Sequence, residues 1–263
     1  MWIDLEGLAN LRDVGGMPTS DGGEITAGRL LRSDNLQALT PTDIDRLLDL
    51  GLSDVVDLRS EYEVESEGPG PLASHPQVHI HQHSLFREWR EGVGEAKPDT
   101  RPEELPDEAL PWVDQAPSVQ VDHPVASFYL SYLVDRPDSI VASLRHIGEA
   151  DGATLVHCAA GKDRTGTVVA LALSVAGADR EAIVADYAAS TERMEAILER
   201  LLGTRTYADN LRDRPMSSHI THPETMQTFL TYVDEEYGGV GPLLGRMGWT
   251  DDDSGRLRAK LRG

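Results

Sequence analysis

One cysteine stands in the 263-residue chain, and its surroundings constrain the fold more than any other segment. Thr154-Leu155-Val156 leads into His157-Cys158, and after Arg164-Thr165-Gly166 a long apolar run begins at Val168. The order reads as a short buried strand, a tight loop containing Gly161, and a core helix over 165–176 that is apolar on most faces. Cys158 then lies at the C-terminal end of a strand and against a helix N-terminus. Unpaired backbone N–H groups bind anions there, and open α/β sheets place their ligands along that edge.

The rest of the chain supplies the neighbours such a unit needs. Thr40-Pro41-Thr42-Asp43 is a helix start with a hydroxyl cap, a proline in the first turn and an acid beside it. Ile44, Leu47 and Leu48 form its buried stripe, and Gly51 ends it. Residues 54–59 form a second buried strand, and 78–85 alternate like a third. Helices are expected over 128–134, over 139–147, from Asp179 to about residue 202, over 224–237 and in the charged C-terminal tail. Strands alternating with helices predict an α/β fold: a mostly parallel central sheet flanked by helices, in one domain over 1–263. Between 87 and 124, six prolines and many acids break regular structure, so this stretch is expected to be an inserted lid or loop.

A formal net charge of −21 argues against nucleic acid as a partner and disfavours broad contact with anionic membrane. Positive charge must be local, and Lys162 and Arg164 supply it. A lone thiol makes no internal disulfide and suits a reducing compartment. The N-terminal residues lack a basic and apolar leader, and the apolar run from Val168 to Ala176 is half the length of a membrane span. The expectation is a soluble cytoplasmic protein. Signal-independent secretion would leave no trace in the sequence.

The loop has the parts for covalent phosphate chemistry. Thiolates are favoured at helix N-termini and beside cations. Arg164 offers a planar fork to two phosphate oxygens, and the backbone of Ala159, Ala160, Gly161 and Lys162 offers N–H donors. Thr165 brings a hydroxyl toward the sulfur, and His157 can orient the loop. A leaving oxygen needs a proton, for which Asp163 in the loop and Asp57 at the end of the neighbouring strand are both candidates. A salt bridge from Asp57 to Arg59 or Arg164 is an equally open reading. A Walker loop is excluded because Val156 occupies its first glycine position and Asp163 follows Lys162. Thiol relay is excluded because no second cysteine exists.

The string His157-Cys158-Ala159-Ala160-Gly161-Lys162-Asp163-Arg164-Thr165-Gly166 resembles the active loop of the bacterial protein tyrosine phosphatase B family. Asn10-Leu11-Arg12-Asp13-Val14-Gly15-Gly16, Arg29 to Asp34, Asp57-Leu58-Arg59-Ser60, Ala185-Asp186-Tyr187 and Asp234 to Gly239 are similar to further family motifs. The resemblance covers most of the chain. It implies cysteine-dependent phosphomonoester hydrolysis without metal or cofactor, with Cys158, Lys162, Asp163 and Arg164 in the active loop and Asp57 as another acid implicated in catalysis. It also implies relaxed specificity for phosphotyrosine, phosphoserine or phosphothreonine, and phosphoinositides. Lys162 matches a lysine of lipid phosphatases, whereas Ala159 stands where those enzymes carry a second basic residue. Arg12, Asp13, Arg32 and Arg59 are candidates either for the substrate mouth or for ion pairs.

Two readings of other classes compete with this one. His79, His81 and His83, with His219 and His222, suggest a metal-dependent hydrolase. A non-catalytic phosphate-binding module would need Arg164 but has little use for Cys158.

Overall fold

The computed structural model describes residues 1–87, 116–212 and 214–263. Its sheet has five strands: β1 (Arg12–Asp13), β2 (Leu30–Ser33), β3 (Leu52–Asp57), β4 (His79–Gln82) and β5 (Ala153–His157). Their spatial order is β1-β2-β5-β3-β4. Only β1 runs antiparallel; β2, β5, β3 and β4 are parallel, so the strand leading to Cys158 sits at the centre.

The helices are α1 (Pro41–Asp49), α2 (Glu61–Glu67), α3 (Pro124–Asp135), α4 (Pro137–Glu149), α5 (Asp163–Ala176), α6 (Arg180–Ala189), α7 (Met194–Leu202), α8 (Ala208–Leu211), α9 (Pro223–Tyr237), α10 (Val240–Arg246) and α11 (Asp251–Arg262). Alternation along the strands splits the core in two. Leu30, Val56 and Val156 face a layer built from α3 to α6 and α9 to α11. Leu31, Val55 and Leu155 face the opposite side, against Leu47 of α1 and Leu72. Both faces of the sheet are thus covered, as expected for parallel strands.

Several predicted boundaries shift for identifiable reasons. The third predicted strand ends at Gln82 rather than 85, because β3, its partner among the described residues, ends at Asp57. The helix after the cysteine loop begins at Asp163, two residues before the predicted start. Pro124, predicted to lie in the irregular stretch, is the first residue of α3, where its missing N–H costs nothing. Residues 88–115 of the predicted insertion lie outside the described residues. The helix predicted from Asp179 to 202 is two helices joined by a tighter turn at Ser190–Arg193. In that turn the Ser190 hydroxyl accepts from Asn10 and Arg12, and Thr191 pairs with Thr221.

Candidate active site

The C-terminal ends of β2, β5 and β3 converge. Ser33 and Asp57 both pair with His157, the residue before Cys158. From Cys158 the chain turns through Ala159 to Lys162 and enters α5, with Lys162 as the N-cap. Cys158 is 2% exposed. Lys162, Arg164 and Tyr132 all lie within electrostatic reach of it.

The loop is shaped by what its carbonyls bind. Cys158 O accepts from His157 Nδ1 (3.2 Å), Ala159 O from the Asn35 backbone N–H (2.9 Å), Ala160 O from Asn10 Nδ2 (2.9 Å) and Gly161 O from an Arg32 Nη (2.9 Å). Four consecutive carbonyls are therefore turned outward. Among the described residues nothing takes up the N–H groups of Ala159 to Lys162, the donors that a phosphoryl group requires. Gly161 permits the turn: its φ is +70°, and a Cβ there would lie 2.2 Å from the Ser33 carbonyl oxygen.

Behind the loop stands a charged brace. Asp186 binds Arg12 Nε at 2.8 Å and Arg32 Nη1 at 2.5 Å, and the pair holds Arg32 against Gly161. Arg12 also holds the Asn10 side-chain oxygen at 2.6 Å, which aims the amide at Ala160. Arg12, Arg32 and Arg59, candidates for the mouth, are thus fully buried ion-pair residues, while Asp13 accepts from the N–H groups of Gly15 and Gly28. Asn10→Ala removes the loop-shaping bond to Ala160, worth about 1 kcal/mol, together with the bonds to Ser190 and from Arg12. We expect a ~5-fold weaker inhibition constant for inorganic phosphate, and a loss of stability of about 1–3 kcal/mol from the other two bonds. Wild-type inhibition by phosphate would contradict this role.

Arg164 is fixed by a residue the sequence did not single out. Its two Nη atoms bind Glu63 at 2.6 and 2.9 Å, and Nη1 also reaches Leu58 O at 3.2 Å. Its guanidinium carbon lies 4.6 Å from the centre of the Phe86 ring. Glu63 is wholly buried, accepts from the Ser60 N–H and takes a further bond from the Tyr207 hydroxyl at 2.7 Å. Burial alone would raise the Glu63 carboxyl and lower Arg164, but their mutual attraction outweighs it, and both stay charged. The visible signal was Ser60-x-x-Glu63, a capping box at the start of α2.

The two candidate acids sit in unlike settings. Asp57 accepts three bonds from the Arg59 side chain and one from its backbone N–H, and lies 3.6 Å from His157 Nε2. Burial would raise this carboxyl, yet His157 and Arg59 together hold it at about 2. Asp163 lies on the loop side, its side chain 30% exposed, with Lys162 Nζ at 2.8 Å and the Tyr129 hydroxyl at 2.5 Å. Burial opposes its charge, but Lys162 and these bonds keep it below the ordinary carboxylate range. Burial keeps His157 below the usual imidazole range. The Thr165 hydroxyl is buried and makes no hydrogen bond among the described residues, to the sulfur or otherwise.

The strand histidines are occupied elsewhere. His81 pairs with Asp54 at 2.8 Å and stacks on His146 at 3.7 Å, while His79 is exposed. Among the described residues no three His, Cys, Asp or Glu side chains are grouped to hold a metal ion.

A model of the tyrosine phosphatase family matches residues 3–263. The chain belongs to the tyrosine phosphatase family. It is accordingly a cysteine-based protein phosphatase, as the loop implied. It is 28% identical to the triple specificity protein phosphatase PtpB of Mycobacterium tuberculosis, over 99% of each chain. It is 29% identical to a tyrosine-protein phosphatase of Nostoc commune, over 90% of this chain and 75% of that one. The crystal structure of P. aeruginosa TpbA covers 84% of this chain, and this chain covers 88% of it, at 16% identity and a TM-score of 0.36. Among the described residues no helix is long and apolar enough to cross a membrane.

Proposed function

We propose that this tyrosine-phosphatase-family enzyme hydrolyses phosphomonoesters in two steps through a phosphocysteine on Cys158. The observation that carries this reading is the loop geometry: carbonyls tied outward around a buried thiol, with Arg164 locked beside it. The N–H groups of Ala159 to Lys162 and the Arg164 fork bind the phosphoryl oxygens and follow them into the transition state. The Cys158 thiolate attacks phosphorus, and Asp163 gives a proton to the leaving oxygen. Water then attacks the phosphocysteine, passes its proton to Asp163 and releases the thiolate. Lys162 adds charge near the phosphate and Asp163.

Between the acids, the geometry favours Asp163. Asp57 is saturated by Arg59 and remains ionised far below neutral pH, which suits an anchor rather than a donor. A bound dianion beside Asp163 raises that carboxyl toward a working acid. The test compares pH–rate profiles of Asp163→Asn and Asp57→Asn on an aryl phosphate. Asp163→Asn is expected to lower kcat by ~10²-fold or more and to lose the alkaline limb. Asp57→Asn is expected to keep that limb and to lose stability instead. The folded Asp57 carboxyl is depressed to about 2, against roughly 3.9 when unfolded. Its stabilisation is therefore present above about pH 4 and is lost as pH falls toward 2, so the variant's stability should vary less over that window. Loss of the limb in Asp57→Asn alone would reverse the assignment.

For substrate we propose phosphotyrosine in proteins, with phosphoserine, phosphothreonine and phosphoinositides as further substrates. The support is family membership, the relative named a triple specificity phosphatase and Lys162 beside the loop. A panel of phosphopeptides and phosphoinositide vesicles ranks them by kcat/KM. A cytoplasmic setting fits the reduced, lone Cys158.

A further inference from the structure

Asp163 is held from one side only. Both Lys162 Nζ and the Tyr129 hydroxyl bind Oδ1, and among the described residues Oδ2 has no hydrogen-bond partner. A carboxylate only accepts, so Tyr129 is the donor in its bond to Asp163. The Tyr129 oxygen must then accept at its other contact, from the Tyr187 hydroxyl at 2.8 Å. Separately, Thr225 Oγ1 lies 3.3 Å from His123 Nε2.

The direction of that contact is fixed by a helix cap. His123 is the N-cap of α3, and its Nδ1 accepts from the Ala126 N–H. In the neutral ring the proton therefore sits on Nε2, which donates to Thr225. The line from Tyr187 to Tyr129 to Asp163 thus has one polarity. It joins α6 and α3 to the start of α5, and Tyr129 and Tyr187 are 2% exposed or less.

We propose that Tyr129, backed by Tyr187, is the positioning residue for the loop acid, and that it leaves Asp163 Oδ2 as the oxygen that transfers the proton. This rests on the reading of Asp163 as the acid. In the first step the thiolate electron pair forms the S–P bond. The P–O pair leaves with the alcohol oxygen, which takes the proton from Oδ2. In the second, water forms the new P–O bond, Oδ2 takes its proton and the S–P pair returns to sulfur. Tyr129 and Lys162 keep donating to Oδ1 throughout and stabilise the carboxylate formed midway. No net proton passes along the line.

The charged and titratable groups around Asp163 are Lys162 and Arg164 beside it, Tyr129 and Tyr132 on α3, Tyr187 on α6 and His219 before α9. Of these only Tyr129 is changed by Tyr129→Phe, which preserves the packed ring.

The test measures pH–rate profiles and leaving-group dependence for wild type, Asp163→Asn, Tyr129→Phe and Tyr187→Phe, using a series of aryl and alkyl phosphates. Tyr129→Phe removes a donor to the carboxylate. Its alkaline limb should move up by about one pH unit. Its kcat should fall ~10-fold more for alkyl phosphates than for p-nitrophenyl phosphate, whose leaving group needs little protonation. Tyr187→Phe should shift the limb the same way by less. If Asp163→Asn loses the limb while Tyr129→Phe keeps the wild-type limb and leaving-group dependence, the positioning role is overturned and the acid assignment stands. A uniform loss of rate in Tyr129→Phe across all substrates, with an unmoved limb, marks packing alone and also overturns it. A wild-type limb in Asp163→Asn removes the acid assignment itself.

Discussion

Cys158→Ser is expected to lower kcat for an aryl phosphate by ~10⁴-fold or more, because a serine hydroxyl without an adjacent base is a poor nucleophile. The substitution should leave binding largely intact. In the proposed mechanism phosphate oxygens are held by loop N–H groups and by Arg164, and none of these depends on the sulfur. The carbonyl contacts that shape the loop come from Asn10, Arg32, Asn35 and the His157 ring, and these too survive. A phosphotyrosine peptide should therefore still bind Cys158→Ser with an affinity near the wild-type KM, while turnover disappears. Calorimetry with the peptide and a steady-state assay check the two halves separately. A variant that neither binds nor turns over would mean that the thiol holds the loop in shape.

Glu63 carries the second large effect. Its carboxylate binds both Nη atoms of Arg164, the Ser60 N–H and the Tyr207 hydroxyl, all without solvent. Removing one partner of a buried ion pair typically costs ~3–5 kcal/mol. Glu63→Ala should therefore lose stability on that scale in urea unfolding. It should also lose about 10²-fold in kcat/KM, the penalty of a misplaced reacting group. Glu63→Gln keeps one acceptor and the side-chain shape, and should fall between the two. Wild-type values for Glu63→Ala in both measurements would show that Arg164 is oriented without it.

The contrast between Cys158 and Glu63 shows what was legible in the sequence. Strand, loop and helix around Cys158 are local, and local pattern predicts them: apolar run, glycine at a positive φ, apolar helix. The mostly parallel order of the sheet followed from the same alternation. Asn10, Glu63 and Asp186 act across 101 to 174 positions of chain. No spacing rule connects them to the loop. Glu63 carried a local signature as a capping residue, and that role is real, but its second role needs α2 placed beside α5. The ion pair between Asp57 and Arg59 was visible as an alternative because the two residues are neighbours in one strand end. The helix break at Ser190 was illegible because its cause is a tertiary contact with Asn10 and Arg12.

The charge balance makes sense at this scale too. A chain with a net charge of −21 places buried Arg12, Arg32, Arg59 and Arg164 behind and beside one loop, each paired with a carboxylate. Arg12 and Arg32 share the one carboxylate of Asp186, so the brace behind the loop keeps an excess of positive charge.

The central claim is a covalent phosphocysteine on Cys158, and rapid acid quench of wild type with a phosphate-labelled aryl ester tests it most directly. The account predicts label on the peptide containing Cys158 within the first turnover, with none in Cys158→Ser. Turnover without label on that peptide, or label on another residue, would contradict it.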